Sequence, residues 1–263
     1  MKRILLLLSA ISIIACCAGC GGNTGNVSDV SAPSSNTKKS ENTEKERHKN
    51  ESEKALEYLG RYIELSLYDE EVIYKKSSRY ERELKPKAVI ESKKDRIEPV
   101  FELPDYQTIR YGMKYNDLKN AGFLRFGYNG TVESNTGGSA SLIISDDPKV
   151  CIDIMLYNPT DNTIDRNECI IDSIGIPVEN GPEFDYNGLN PETTFEDVIS
   201  TLGDPTLGAK LISESEKASD INTVRMYYDN HDDAATQTEF KFIFDKENNK
   251  MILNEICVYK IGN

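Results

Sequence analysis

Short runs of alternating apolar and polar residues fill the second half of the chain. Such runs, separated by Asp, Asn, Pro and Gly, are typical of β-strands joined by turns. They lie at residues 139–145, 150–157, 169–176, 224–228, 240–244 and 251–261. In the last pair, Phe240, Phe242 and Phe244 share one side of the pattern, and residues 245–250 turn the chain back. The pattern predicts a C-terminal hairpin with one buried face.

A helical pattern interrupts these strands at residues 193–203. Four apolar residues recur at the spacing of one helix face: Phe195, Val198, Ile199 and Leu202. Thr193 followed by Glu196 has the form of a capping box, which predicts where the helix begins. Gly203 provides a residue suited to ending the helix, and Pro205 prevents its continuation.

A weaker copy of this pattern lies at residues 111–122. The aligned positions are Tyr115 with Phe195, Asp117 with Asp197, and Leu118 with Val198. We therefore expect an α+β head, residues 105–263, with short helices packed on one face of an antiparallel sheet. The head would consist of two tandem helix-plus-sheet repeats, at about residues 105–180 and 181–263.

Residues 188–206, GLNPETTFEDVISTLGDPT, resemble the signature of the β-lactamase-inhibitor-protein-like superfamily, which includes the SmpA/OmlA-type small lipoproteins. The usual pattern there is a capped T-x-E-E-V start and an L-G-x-P end around a short helix before an antiparallel sheet. Residues 111–122 resemble a degraded first copy that lacks the L-G-x-P ending. The resemblance implies a scaffold used in proteins that bind other proteins. It identifies no individual binding residue, because the match is to the scaffold.

The N-terminus carries the pattern of an export signal. Two basic residues precede an apolar stretch at residues 4–14, which has signal-peptide length and is too short for a permanent membrane helix. The segment that follows, ACCAGC at residues 15–20, resembles the bacterial lipoprotein signal, in which a small residue precedes a Cys that receives diacylglycerol. The small residues before Cys20 fit the lipoprotein signal better than those before Cys16. The aliphatic residue before Cys16 fits it better, but cleavage there would leave a short signal peptide.

We favour Cys20 as the lipidated residue, with Cys16 as the alternative and an ordinary secretory signal as a further one. Residues 1–19 are then the signal peptide. The two or three acyl chains of a lipoprotein hold it stably on a bilayer. We therefore expect the protein on the extracytoplasmic face of a bacterial cell membrane.

Two segments separate the predicted anchor from the head. Residues 20–50 contain almost no apolar side chain, which predicts a flexible tether spanning about 30 Å. Residues 51–67 carry apolar residues at helical spacing, which predicts one amphipathic helix, and the glutamates of its polar side disfavour membrane binding. Residues 68–100 fit either a helix or a disordered connector. Together these features predict a charged, helical or disordered stalk at residues 51–104.

Acidic residues outnumber basic ones by 44 to 31, for a net charge of −13. Residues 21–100 are balanced, so the excess of acid lies in the head. Nucleic-acid binders depend on Lys and Arg contacts with phosphates, and this charge excludes that class. The chain has only two histidines, which argues against a His-rich metal site.

No catalytic, cofactor-binding or metal-binding residue is predicted. The hydrolase, metalloprotease, phosphate-loop and dinucleotide motifs are missing. Ser35 and Lys38 satisfy a Ser-x-x-Lys pattern, but they lie in the predicted tether, where no packed site forms. Residues 229–233, DNHDD, are the densest group of metal-ligand side chains. Their spacing does not match an EF-hand loop, so we interpret them as a solvated loop.

The head contains three cysteines. If residues 150–157 and 169–176 pair about a turn centred on residue 160, Cys151 falls opposite Cys169. The sequence therefore allows the hypothesis of a Cys151–Cys169 disulfide in an oxidising exterior. The alternative is that these cysteines and Cys257 are small buried thiols.

The leading function hypothesis is a membrane-anchored, non-enzymatic protein-binding or assembly module. It rests on the predicted anchor, the tether and the resemblance, and its expected partners are the membrane and another protein. One alternative is a small-ligand receptor of a transporter or sensor, which needs a pocket lined by tyrosines. A second is an exported hydrolase, which needs a cleft with converging carboxylates.

The lipoprotein signal predicts the mass of the N-terminal peptide. Native protein extracted from membranes with detergent should carry a diacylglyceryl group on Cys20 or, in the alternative register, on Cys16. Mass spectrometry of the fragmented N-terminal peptide distinguishes the two. An unmodified N-terminus in the soluble fraction would contradict the anchor and, with it, the tether.

Overall fold

An antiparallel sheet of ten strands is the main element of the structure, which is a computed structural model. The structure describes residues 57–74, 80–104, 107–120, 125–126, 130–146, 149–212, 223–245, 248 and 250–261. The strands are β1 (Tyr68–Tyr74), β2 (Tyr80–Pro86), β3 (Val100–Leu103), β4 (Gln107–Arg110), β5 (Arg125–Phe126), β6 (Thr131–Val132), β7 (Gly137–Asp146), β8 (Lys149–Tyr157), β9 (Ile164–Asp165), β10 (Ile170–Pro177), β11 (Gly208–Ile212), β12 (Thr223–Asp229), β13 (Thr236–Asp245) and β14 (Lys250–Lys260). The helices are α1 (Tyr115–Asn120), α2 (Phe195–Leu202) and single 3-10 turns at Leu65–Leu67 and Arg166–Glu168. The described part of the chain is thus mostly antiparallel sheet with a few short helices.

The order of strands in the large sheet is β1-β2-β11-β12-β13-β14-β10-β8-β7-β5. β3 pairs with β4, and β6 pairs with β9, in two small separate sheets. All described residues belong to one compact unit, residues 38–263. None of the helices in the described ranges combines the length and apolarity needed to cross a bilayer. The predicted signal peptide, Cys16, Cys20 and the tether at residues 20–50 lie outside the described residues.

Two series of strands meet in the middle of the large sheet. The first follows α1 and contains β5, β7, β8 and β10, and the second follows α2 and contains β11 to β14. Their last strands, β10 and β14, pair with each other. The residue before each helix also forms a bridge to the last strand of its own series. Lys114 bridges to Ile170 in β10, and Thr194 bridges to Ile252 in β14.

The core lies on one face of the large sheet, which we call the core face. Strand residues alternate between the two faces, and the apolar set points to this one. Its buried side chains include Leu84, Ile154, Ile174, Met226, Phe240 and Val258. α2 packs on this face, with the Phe195 ring centre 5.2 Å from that of Phe242. Each such side chain contributes roughly 1.5–3 kcal/mol by leaving water.

The predicted strands and the C-terminal hairpin are confirmed. β13 and β14 pair along their length, from Thr236 with Lys260 to Asp245 with Lys250. Phe240 and Phe242 are fully buried, and Phe244 is half-buried. The predicted hairpin face is therefore part of the core face.

The helix predicted at residues 193–203 is also confirmed, but its N-cap is one residue later than predicted. Thr194 is the N-cap: its hydroxyl accepts the Asp197 N–H at 3.2 Å, and Asp197 accepts the Thr194 N–H at 2.9 Å. The predicted cap, Thr193, instead accepts the Asn190 N–H at 2.8 Å and closes the preceding turn. The helix ends at Gly203, whose φ of +84° is unfavourable for other residues.

The predicted stalk at residues 51–104 is wrong for most of its described part. Helical structure is present at residues 57–59, but the chain turns at residues 60–62, so the predicted helix at 51–67 is also wrong beyond that point. Tyr58 packs against the core, with its ring centre 5.8 Å from that of Phe195. The head therefore begins before residue 101.

Strands β1 and β2 occupy much of the remaining stalk region and form one edge of the large sheet. They were not predicted because charged residues dominate their sequence, and several of these form cross-strand charge pairs. Arg82 contacts Glu70 at 2.9 Å, and Lys85 contacts Glu71 at 2.7 Å. Charged side chains also protect an edge strand from pairing with other chains.

The hypothesised Cys151–Cys169 disulfide is contradicted by the strand register. Tyr157 pairs with Ile170, so Cys169 lies at one end of the β8–β10 pair. Cys151 lies six residues from Tyr157, which corresponds to roughly 20 Å along a strand. A disulfide needs Cα atoms within about 7 Å, so this register places the two cysteines too far apart to form one. The prediction failed because Tyr157 pairs with Ile170, which centres the pairing between residues 163 and 164 and not at residue 160.

The cap of α2 predicts an acid-sensitive contribution to stability. Hydrogen bonds from the Thr194 N–H and hydroxyl hold the pKa of the Asp197 carboxyl below its usual value. This contribution is present above the usual pKa of about 4 and is lost as the pH falls through the lower pKa of the folded state. We expect Thr194→Ala to lower the free energy of unfolding by about 1 kcal/mol at neutral pH.

Urea unfolding at pH 7 and at low pH measures both effects. Asp197→Asn should reduce the loss of stability between the two conditions. Ser200→Ala, a change at an exposed position in the same helix, serves as the control and should not change the free energy of unfolding appreciably. Equal stability of Thr194→Ala and the unaltered protein would contradict the capping assignment.

Candidate functional site

The face of the large sheet opposite the core face is polar, and we call it the polar face. Its side chains on the second series of strands are Lys210, Arg225, Tyr227, Glu239, Lys241, Glu255, Cys257 and Tyr259. The ion pairs of Lys210 and Arg225 and the hydrogen bond of Tyr259 connect one strand to another. The ring contacts of the covering segments, by contrast, fall on the core face. The polar face is therefore the candidate binding surface.

An ion pair with a tyrosine lies near the middle of the polar face. Arg225 Nη1 donates to Glu239 Oε1 at 2.9 Å, and the Tyr259 hydroxyl donates to Glu239 Oε2 at 2.7 Å. Glu239 is only 5% exposed, so both of its oxygens are satisfied inside the face. These three side chains come from β12, β13 and β14, and they fix one another in position.

The tyrosines of the polar face remain protonated over the physiological range. Burial, followed by the charge of Glu239, raises the pKa of Tyr259 well above its usual value. The same two causes raise the pKa of Tyr227. Both residues are half-buried, so each presents part of an aromatic ring and a neutral hydroxyl. Such amphipathic side chains are frequent in protein interfaces.

Basic residues form a row across three neighbouring strands. Lys210 pairs in register with Arg225, and Arg225 pairs with Lys241. Lys210 Nζ lies 3.4 Å from Glu81 Oε1 and 3.6 Å from Glu83 Oε1, and 5.9 Å from the centre of the Tyr227 ring. We call Lys210, Arg225 and Lys241 the cation row.

Cys257 lies beside the cation row but is not a reactive thiol. Burial is the main cause that raises its pKa well above the usual value, and the carboxylates of Glu255 and Glu239 add to it. The neutral thiol is a poor nucleophile. Gly175 lies opposite Cys257 in the neighbouring strand, and a Cβ there would lie 3.1 Å from Glu255 Oε1. This glycine leaves room for the Glu255 carboxylate.

The acidic segment at residues 229–233 forms the turn between β12 and β13. Asp232 accepts hydrogen bonds from the Thr236 N–H and hydroxyl, both at 2.7 Å. Asn230 is fully buried and bonds to Thr236 and Thr238. In the ranges that the structure describes, no group of three or more His, Cys, Asp or Glu side chains is placed to hold a metal ion. The side chains of this segment therefore form hydrogen bonds that stabilise the turn.

Two surface clefts bear on the alternative functions. The larger, about 610 Å³, is lined by Glu102, Leu103, Pro104, Gln107, Thr108, Glu183, Phe184 and Asp185. The smaller, about 440 Å³, lies between β6 and β7 and includes Arg166. No tyrosine lines either cleft, so neither has the lining that the small-ligand hypothesis requires.

Comparison of the chain with protein-family models, with curated proteins and with solved structures gives no match. The candidate site therefore rests on geometry alone. None of its residues was predicted from the sequence to be functional, although one sequence pattern indicated where two of them lie. Glu239 and Lys241 alternate with Phe240 and Phe242, and this alternation places both charges on the face opposite the core.

The Arg225–Glu239 pair predicts a measurable coupling in stability. Glu239→Gln leaves the half-buried Arg225 without its counter-charge and should lower the free energy of unfolding by about 1–3 kcal/mol. Arg225→Met leaves the buried Glu239 with Tyr259 as its remaining partner and should be similarly destabilising. Tyr259→Phe, the milder control, removes a single donor and should lower the free energy by about 1 kcal/mol.

Urea unfolding of the two single variants and of the double variant gives the coupling energy. The double variant should lose less stability than the sum of the single losses, because it removes both charges together. Strictly additive losses would show that the ion pair does not stabilise the polar face.

Proposed function

We propose that the protein is a membrane-anchored, extracytoplasmic lipoprotein whose head binds another protein through the polar face. The observation that carries this proposal is a broad sheet face, without a covering element among the described residues, that combines tyrosines with ordered charged side chains. The head acts in this proposal as a binding or assembly module rather than an enzyme. Its partners are the membrane, through the N-terminal lipid, and one protein.

The residue types of the polar face support a protein partner. Tyr and Arg are enriched among the residues that contribute most to binding energy in protein interfaces. Arg225 and Tyr227 lie on β12 and Tyr259 lies on β14, with β13 between them. Each is half-buried, so little side-chain freedom remains to be lost on binding. A typical interface covers about 800 Å² on each partner, which suits a broad sheet better than a narrow cleft.

The chemistry of the polar face supports binding over catalysis. Glu239 is held by Arg225 and Tyr259, which leaves this carboxylate little freedom to act as a general base. The Cys257 thiol is kept protonated by burial. The face thus supplies fixed charges and hydrogen-bonding groups, which suit recognition.

We also propose that the head consists of two tandem repeats with their helices on one face of the sheet. Two similarities support this: each series has a helix followed by four strands of the large sheet, and the residue before each helix bridges to the fourth of these. The resemblance to the β-lactamase-inhibitor-protein-like superfamily stays a prediction. The first repeat extends over α1 to β10 and the second over α2 to β14.

The membrane anchor is proposed from the sequence alone. Cys20 is the proposed lipidated residue, with Cys16 as the alternative, and residues 20–50 are the proposed tether. Since Tyr58 and Leu59 are already buried in the head, the connection to the membrane is shorter than a stalk ending at residue 104. The proposed tether therefore allows the head to search only the region close to the membrane surface.

Site-specific photo-crosslinking in native membranes tests the proposal. A photo-reactive residue replaces Met155, which lies on the polar face between Ser139 and Ser173 and is 43% exposed. We expect illumination to join the protein to one partner protein. The matched control replaces Val89, which is 93% exposed and lies outside the strands. Absence of a crosslink from position 155, or the same products from both positions, would contradict a polar-face partner.

A further inference from the structure

We propose that Asn180 is a site of spontaneous deamidation, a covalent modification that the fold allows at one Asn-Gly pair and blocks at another. The inference goes beyond the proposed function, because it needs no partner and concerns the chemistry of the chain itself. Asn-Gly pairs occur at residues 129–130, 180–181 and 187–188. Asn129 lies outside the described residues, so the structural comparison is between Asn180 and Asn187.

The reaction joins the main chain of a glycine to the side chain of the asparagine before it. The nitrogen of Gly181 loses its proton and bonds to Cγ of Asn180, while the bond from Cγ to the side-chain nitrogen breaks. That nitrogen takes up the proton and leaves as ammonia, and a cyclic imide remains. Water then opens the imide at either carbonyl, which gives aspartate or isoaspartate. Attack by a neighbouring group is fast where the two atoms can meet, and asparagine is a thermolabile residue.

The turn after β10 leaves both reacting groups of the first pair free. Asn180 is exposed, and within the described ranges neither its side chain nor the Gly181 N–H makes a hydrogen bond. The carbonyl of Asn180 accepts one hydrogen bond, from the Cys151 N–H at 3.2 Å. A local opening that breaks this single bond lets the peptide group rotate and brings the Gly181 nitrogen to Cγ.

The same two residues are held on every side at 187–188. Asn187 Oδ1 accepts the Glu98 N–H at 3.1 Å, and Asn187 Nδ2 donates to the Glu98 carbonyl at 2.8 Å. Lys94 Nζ donates to the Asn187 carbonyl at 2.8 Å. The Gly188 N–H, which would supply the attacking nitrogen, donates to Asp185 Oδ1 at 2.8 Å. These four hydrogen bonds must open before the reaction can begin.

Backbone conformation does not distinguish the two sites. The φ angle is +61° at Asn180 and +58° at Asn187, so both asparagines occupy the left-handed region that asparagine accepts more readily than most residues. The difference between the sites therefore lies in their hydrogen bonds. This is why the structure, and not the sequence, separates a reactive pair from a protected one.

The turn itself requires the reactive sequence. A Cβ at position 181 would overlap the carbonyl oxygen of Pro177, so only glycine fits there. The positive φ at position 180 restricts that position to residues such as Asn, Asp and Gly. The geometry that closes the turn thus places the most permissive neighbour directly after Asn180.

Deamidation changes both the charge and the main chain of the turn. Each event adds one negative charge beside Glu179. The isoaspartate product also lengthens the main chain by one carbon, at a point where Gly181 already lies against the Pro177 carbonyl. The modified chains therefore form a more acidic fraction, whose share grows with the age of the protein.

Peptide mass spectrometry of the full-length protein in detergent tests the inference. The folded protein is incubated in mildly alkaline buffer prepared with water enriched in oxygen-18, and it is then digested in ordinary water. Opening of the imide during incubation puts one heavy oxygen into the product, which distinguishes these events from deamidation during digestion. We expect label at residue 180 to accumulate at least about tenfold faster than at residue 187, because several hydrogen bonds must open first at the second site. Equal rates, faster labelling of residue 187, or no label at residue 180 would overturn the inference.

The same incubation in urea separates the effect of the fold from that of the sequence. Both sites are Asn-Gly pairs, so they should react at similar rates once the chain is unfolded. A preference for residue 180 that persists in urea would overturn the structural explanation.

A variant tests the blocking contact directly. Asp185→Ala removes the acceptor of the Gly188 N–H and should speed labelling of residue 187 about fivefold, the factor expected for one hydrogen bond, without changing residue 180. The matched control, Glu183→Ala, removes an exposed carboxylate two residues earlier and should change neither rate. An unchanged rate at residue 187 in Asp185→Ala, or equal effects of the two variants, would contradict the assigned protection.

Discussion

The pairing of β10 with β14 is the constraint on which the rest of the sheet depends. It joins Ile174 to Val258 across a large separation in sequence, whereas the other pairs within each series connect strands that are near neighbours along the chain. This register aligns the alternation of the two series, so that the buried apolar side chains of both lie on one face. A slip by one residue would place Ile174 beside Cys257 and mix the two faces. The core face and the candidate site are therefore set by the same contact.

A sheet covered on one face must stabilise its other face without a core. The structure does so with polar contacts between strands, in which Glu239 accepts from both Arg225 and Tyr259. These contacts hold the side chains in fixed positions before any partner arrives, which lowers the entropy cost of recognition. The stability of the polar face and its suitability for binding thus have one physical origin. The cation row is the exception, because its members repel one another and Lys241 has no acidic contact among the described residues.

Local sequence patterns predicted most strands and helix α2. The features that these patterns missed depend on contacts between residues that are distant in the sequence. The strands and α2 were predictable because their apolar spacing is complete within short windows, as at Phe195 and Leu202. The N-cap was displaced by one residue because Thr193 and Thr194 both fit, and only the turn at Asn190 distinguishes them. The β1–β2 hairpin was missed because its sequence is dominated by charged residues, although Tyr68 and Leu84 reach the core. The cation row was not predictable, because its members come from three strands and meet only through the register.

The central position of β14 has a consequence for how the chain is made. β14 is the last strand in the sequence, yet it lies between β13 and β10 in the middle of the sheet. Until residue 260 has been synthesised, the two halves of the sheet have no strand to join them, and the nascent chain cannot complete its core. For the proposed export signal this delay is favourable, because a translocation channel admits an unfolded polypeptide more readily than a folded one. The topology therefore postpones completion of the core until the last strand of the sheet has left the ribosome.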